Sequence, residues 1–317
     1  MTNQPSKTTN GLRIKDEKIN GQYGSKGNLQ STPYEFRLDI DIKKTNSKPI
    51  SAGYGKSVHE VEWIDRDGPP VVLLQIDGAR AKRNASFYVQ LGSHPHIVRT
   101  YGLVHSNFTS TMLLQERAAQ GNLSELLCSE EFSPNENVLW EIFEQICDAM
   151  IFLVEKNIIH GDLACRNVLV FQMNPINPKK NLIKLTDFGL TSVSKLYSIV
   201  DSSALTSMTI IPTRYAAPEL LQNIKRLDYS EQSDVYSMGV LMWEACAYGK
   251  LPYSNIDDSD IIKQHKLNDM RLPRPSSCGD RLWSIINECW QFEPKDRPRF
   301  QTLKESISRL QSNSIEK

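Results

Sequence analysis

Polar and apolar positions change their rhythm along this chain. Residues 1–33 carry few large apolar side chains and are dominated by Asn, Ser, Thr, Gly, Lys and Gln. Burial there cannot offset the entropy of ordering, so the sequence predicts a flexible polar leader. The texture shifts at Tyr34-Glu35-Phe36. VHEVEWI at 58–64 alternates apolar and polar positions. It predicts a half-buried strand running into the turn signal Asp67-Gly68-Pro69-Pro70. VVLLQI at 71–76 is a short continuous apolar run, as a buried strand requires.

Beyond residue 120 the period becomes helical. In NVLWEIFEQICDAMIFLVEKN (137–157), Ile142, Ile146, Met150 and Leu153 recur near every 3.6 positions. SDVYSMGVLMWEACAYG (233–249) is apolar nearly all round, which predicts a helix at the centre of a lobe. A third helix is expected around Leu282 to Trp290, before Pro294 and Pro298. QMNPINPKKN (172–181) reads as a polar hairpin loop. Strands first and helices later imply an α+β chain.

Composition narrows the classes. The 317 residues suffice for one large domain or two lobes. With 37 basic and 37 acidic side chains the net charge is +0. No basic excess marks a nucleic-acid partner. No apolar run is long enough to span a bilayer, and MTNQPSKTTN lacks the apolar core of a secretory signal. Cytoplasmic residence is the resulting expectation. Six widely spaced cysteines form no C-x-x-C pair, so neither a zinc site nor a disulfide framework is expected.

Candidate chemistry concentrates in three segments. IIHGDLACRNVLVF (158–171) places Asp162 and Asn167 on a loop leading into a strand. KLTDFGL (184–190) contains Asp187-Phe188-Gly189, and AAPELL (216–221) follows. In this order they resemble the catalytic-loop Asp-x-x-x-x-Asn, the Asp-Phe-Gly and the Ala-Pro-Glu of protein kinases. The resemblance covers roughly residues 36–312. It implies a two-lobed kinase fold at 34–312, with 313–317 as a tail. A small antiparallel β lobe with one helix, including the hinge, would occupy 34–118. A larger, mainly helical lobe would occupy 119–312.

The resemblance also implies ATP, magnesium and a protein substrate. Phosphoryl transfer needs a group to orient the attacking hydroxyl and oxygen ligands for a hard cation. Asp162 takes the first role; Asn167 and Asp187 take the second. Asp162-Leu163-Ala164-Cys165-Arg166-Asn167 is similar to the tyrosine-kinase pattern, which puts Arg166 beside the base. IPTRYAAPE, with Pro212, and RLPRPSSCGDRLWSIINECWQFEPKDRPRF (271–300) share that likeness. Arg297 would pair with Glu219, and Asp234 would brace the catalytic loop. Glu116 and Ala118 would bind adenine through their backbone, with Gln115 as gatekeeper. Glu125 would reach the ribose.

The small lobe departs from the family pattern. Val72-Leu73-Leu74-Gln75 aligns with Val-Ala-Val-Lys, which puts Gln75 in the lysine's place. No Asp or Glu lies between Gly78 and Val104 to act as its partner; the aligned position is Asn84 or Ala85. Ser51-Ala52-Gly53-Tyr54-Gly55-Lys56-Ser57-Val58 aligns with the Gly-rich loop, in which only Gly53 is kept. Lys56 has two readings. It is either a solvated strand residue beside a degenerate nucleotide site, or the replacement cation, as in the with-no-lysine kinases. His160-Gly161-Asp162 lacks the usual middle Arg, so dependence on phosphorylation of Tyr197 is not expected. Two functions stay open: an active kinase, or a pseudokinase acting as a nucleotide-sensing or scaffolding module.

Overall fold

The computed structural model describes residues 34–53, 56–76, 88–105, 110–129, 132–187, 211–222 and 229–315. The expected leader, Asn84, Ala85 and Tyr197 lie outside the described residues.

The first part of the chain is a sheet. Its strands are β1 (Tyr34–Arg37), β2 (Ile42–Lys44), β3 (Ser51–Gly53), β4 (Lys56–Trp63), β5 (Val71–Ile76), β6 (Thr100–His105) and β7 (Thr111–Glu116). The spatial order is β1-β6-β7-β5-β4-β2, with β3 also paired to β4. The sheet is antiparallel except at its edge, where β1 runs parallel to β6. β2 and β3 pair in turn with β4. Between them, residues 45–50 bulge out opposite His59 and Glu60, closed by Thr45 N–H to Glu60 O (3.1 Å) and Ile50 N–H to Val58 O (2.8 Å). Residues 88–91 are helical.

Strand alternation gives the sheet two different faces. Ile42, Val61, Val71, Leu73, Met112 and Leu114 form a separate small core on one face. Leu74, Ile76 and Leu113 join the main core, which continues through Ile97 and Leu185 into the helical part. This second face therefore borders the cleft between the lobes.

The helical lobe contains α1 (Leu123–Cys128), α2 (Glu136–Glu155), α3 (Pro218–Gln222), α4 (Glu231–Cys246), α5 (Ser259–Leu267), α6 (Asp280–Cys289) and α7 (Phe300–Ile315). The last helix runs to Ile315, so the expected boundary at 312 falls inside an element. A two-stranded sheet of β8 (Val168–Gln172) and β9 (Leu182–Leu185) completes the lobe. The polar segment 172–181 connects these strands, as its composition predicts. Asn135 caps α2 by accepting Val138 N–H at 3.0 Å. Ser230 and Ser233 cap α4 reciprocally. Every residue of α4 from Ser233 to Cys246 is buried, as an all-round apolar helix must be.

Candidate active site

Two loops and one strand end meet where the chemistry is expected. The catalytic-loop candidate begins at His160. Both oxygens of buried Asp234 accept backbone N–H groups, from His160 and Gly161, each at 2.8 Å. Gly161 takes a φ of 75°, a conformation that an arginine adopts only under strain. The brace expected of Asp234 is thus present. Burial pushes the Asp234 carboxyl up to about 7 against the pull of the two amides. Burial also holds the His160 imidazole down at about 4, although Asp162 and Asp187 favour its charged form.

Asp162 is held from two sides. Arg166 ion-pairs with its Oδ1. Asn167 donates Nδ2 to Asp162 O (2.6 Å) and Oδ2 (3.0 Å). The Arg166 guanidinium lies 4.8 Å from the centre of the Tyr215 ring. Asn167 is fixed in turn by Thr186 N–H to Asn167 O, 3.0 Å. With its amide nitrogen committed to Asp162, the Asn167 Oδ1 is the atom left to face a cation. Asp187 follows β9 with a φ of 61°, a strained backbone typical of functional sites.

Lys56 completes this group from the small lobe. β3 and β4 pair as Ser51 with Val58, Ala52 with Ser57 and Gly53 with Lys56. Only Tyr54 and Gly55, outside the described residues, join the two strands. Lys56 stands opposite Ile76 on the cleft-bordering face. Its Nζ donates to Asp187 Oδ1 at 2.9 Å. Its side chain is 21% exposed and that of Asp187 35%. The inward orientation is therefore the observed one. A Cβ on Gly53 would meet nothing within 4 Å, so open space adjoins the hairpin.

Gln75 does not occupy this site, which corrects its alignment with the strand lysine. Gln75 pairs with Ser57 and Met112 and accepts a hydrogen bond from Lys44 at 3.4 Å. It lies on the face of Leu73 and Met112, away from the cleft. A shift of one residue along a strand exchanges its faces. The cleft face of β5 presents Val72, Leu74 and Ile76, and it is aliphatic throughout.

The remaining candidates lie along the hinge. Glu116 N–H is bonded to Arg99 O (3.0 Å). Its carboxylate accepts Lys184 Nζ at 2.6 Å and Arg99 N–H at 2.7 Å. Glu116 thus ties the hinge to β9 with its side chain, a role that the sequence did not signal. Among the described residues no backbone partner engages Ala118. Gln115 is buried and donates to Thr100 Oγ1 at 3.0 Å. Glu125 sits in the first turn of α1, its N–H capped by Asn122 (3.0 Å). A Cβ on Gly121 would come within 2.9 Å of Glu125 Oε2.

Sequence reasoning also missed Glu244. It lies inside the wholly buried stretch of α4 and accepts Cys165 N–H (3.1 Å) and Ser124 Oγ–H (3.2 Å). Its one signal is a carboxylate within an apolar run. Arg297 and Glu219 do pair as expected, through two bonds of 2.7 and 2.8 Å, with the Arg297 side chain wholly buried.

The oxygen donors can be weighed for magnesium. Among the described residues no group of three or more His, Cys, Asp or Glu could hold a metal ion. Asn167 and Asp187 alone suit a cation that keeps water ligands and shares substrate phosphates.

A two-lobed fold with Asp162, Asn167 and Asp187 on these loops defines the protein-kinase class. The family model for protein tyrosine and serine/threonine kinases matches residues 76–307, and the chain belongs to that family. It is 34% identical over 214 residues to human tyrosine-protein kinase FRK, covering 67% of this chain and 39% of the relative. It is 33% identical over 218 residues to human cytoplasmic tyrosine-protein kinase BMX, covering 69% and 30%. It is 29% identical over 288 residues to an Ack-related non-receptor tyrosine kinase of Caenorhabditis elegans, covering 87% and 27%. The chain thus spans between about a quarter and two fifths of these relatives. The matched region starts at Ile76, after the β3–β4 hairpin that carries Lys56. No described helix is long and apolar enough to cross a membrane.

Proposed function

We propose that this chain transfers the γ-phosphoryl group of ATP to a protein hydroxyl, with tyrosine as the acceptor. The observation that carries the proposal is the 2.9 Å contact between Lys56 Nζ and Asp187 Oδ1. It supports a cation entering the cleft from β4 where β5 offers only aliphatic groups. Asp162 accepts or orients the acceptor proton, with Arg166 and Asn167 fixing its carboxylate. Lys56 stabilises negative charge on the transferred group. Ala118, with Glu116, would offer backbone groups to adenine, Gly53 would leave room for the phosphates, and Glu125 would reach the ribose. Asn167 and Asp187 would hold magnesium, which when bound neutralises phosphate charge. The tyrosine relatives and the Asp162-to-Asn167 pattern support the acceptor.

A second reading is a nucleotide-sensing or scaffolding module without transfer. The aliphatic cleft face of β5 favours it. Radiolabelled ATP with a mixed Tyr/Ser/Thr peptide pool separates the two. Label appearing on tyrosine supports the first reading, and nucleotide binding with no transfer supports the second.

A further inference from the structure

We infer that Lys266 is a positioning residue for the acceptor-peptide platform at 211–217. The inference rests on the kinase reading above.

Lys266 sits on α5 and is 1% exposed. Its Nζ donates to Arg214 O at 2.9 Å and to Ala216 O at 2.8 Å. The rings of Tyr236 and Tyr253 flank it, with centres 5.1 and 5.5 Å away. No described carboxylate is within bonding distance. Burying an ammonium this way is costly, and a leucine would fill the space without that cost. What the ammonium alone supplies is donors for backbone carbonyls.

Those carbonyls belong to a segment that is itself in neither sheet nor helix. Ser237 Oγ donates to the one between them, Tyr215 O, at 3.1 Å. Three consecutive carbonyls, at 214, 215 and 216, are thus held by buried side chains of α4 and α5. Tyr215 and Ala216 N–H both close onto Pro212 O, at 2.8 and 3.0 Å. Arg214 reaches the carbonyls of Pro252, Tyr253 and Ile256. The segment is fixed from below.

The fixed segment touches the chemistry. The Tyr215 ring lies under Arg166, and Arg166 holds Asp162. Lys266 therefore acts on Asp162 through Tyr215 and Arg166. It sets the surface on which a polypeptide acceptor must lie to present its hydroxyl. It leaves the nucleotide side, at the hinge and β3–β4, untouched.

The test uses the full chain and Lys266→Met, which keeps the stem and removes the donors. Peptide KM should rise roughly tenfold, the scale of one lost buried hydrogen bond, with ATP KM within about twofold of wild type. Hydrogen exchange across 211–217 should accelerate at least as much, with α2 unchanged. Ser237→Ala, a milder lesion of the same platform, should shift peptide KM in the same direction and covers the case in which Lys266→Met fails to fold. An unchanged peptide KM in an active enzyme, or unchanged exchange at 211–217, overturns the inference. Equal shifts in peptide KM, ATP KM and α2 exchange overturn it too, because they mark general destabilisation. If wild type transfers no phosphate, the kinase reading fails, and exchange at 211–217 alone judges Lys266.

Discussion

Lys56 Nζ meets Asp187 Oδ1 at 2.9 Å, joining residues 131 positions apart. The contact follows from strand geometry. Lys56 is opposite Ile76, so it shares the face that borders the cleft. Neither side chain is more than 35% exposed, so water screens the pair less than it would a surface bridge. A positive charge thus reaches Asp187 from β4, beside the aliphatic cleft face of β5.

Gln75 should be dispensable for turnover. Gln75→Ala removes a group on the far face of β5, beside Lys44. Its kcat/KM is expected within about threefold of wild type, under ~0.7 kcal/mol of barrier. Steady-state kinetics check this, and a hundredfold loss would put Gln75 back in the cleft.

The Arg297–Glu219 pair should carry fold stability. Arg297 also donates to the carbonyls of Gln232, Gln291 and Phe292. Arg297→Ala strands those acceptors and Glu219, so a loss of about 3–5 kcal/mol is expected. The double variant with Glu219→Gln should lose less than the sum of the two single changes. Urea unfolding measures both, and strict additivity would contradict the coupling.

His160 should make stability depend on pH. Its imidazole is held at about 4 in the fold against 6.5 for an ordinary histidine, because burial disfavours the charged ring. Between those values the unfolded chain binds more protons, so the contribution is full above pH 6.5 and lost as pH falls toward 4. Asp234, pushed up to about 7 by burial, works in the opposite direction over much the same window. Comparing wild type with His160→Gln cancels the Asp234 contribution. The stability gap between them should widen by about 3 kcal/mol from pH 4 to 6.5 and stay flat above. A gap independent of pH would contradict this.

The helical lobe was legible because its chemistry sits in contiguous loops. Asp162, Asn167 and Asp187 keep their spacing whatever the packing. The Arg297–Glu219 pair followed from the same motifs. The register of β5 was not legible. VVLLQI is apolar on both faces, so no alternation marks which side borders the cleft. Only pairing with β4 and β7 reveals that Gln75 faces away. The parallel edge strand β1 and the bulge at 45–50 depend on the same long-range pairing. Glu244 and Lys266 stayed hidden for another reason. A single charge in a helix reads as a solvated position until the packing around it is known.

Lys56 is expected to supply the charge for phosphoryl transfer and Asp162 to orient the acceptor. The most direct measurement is kcat/KM for phosphate transfer to a tyrosine peptide by wild type, Lys56→Met and Asp162→Asn. Wild type should transfer phosphate. Lys56→Met should fall by roughly 10²–10³-fold, the effect of deleting one electrostatic donor. Asp162→Asn should fall by roughly 10²–10⁴-fold. An inactive wild type, or a Lys56→Met enzyme as fast as wild type, would contradict the account.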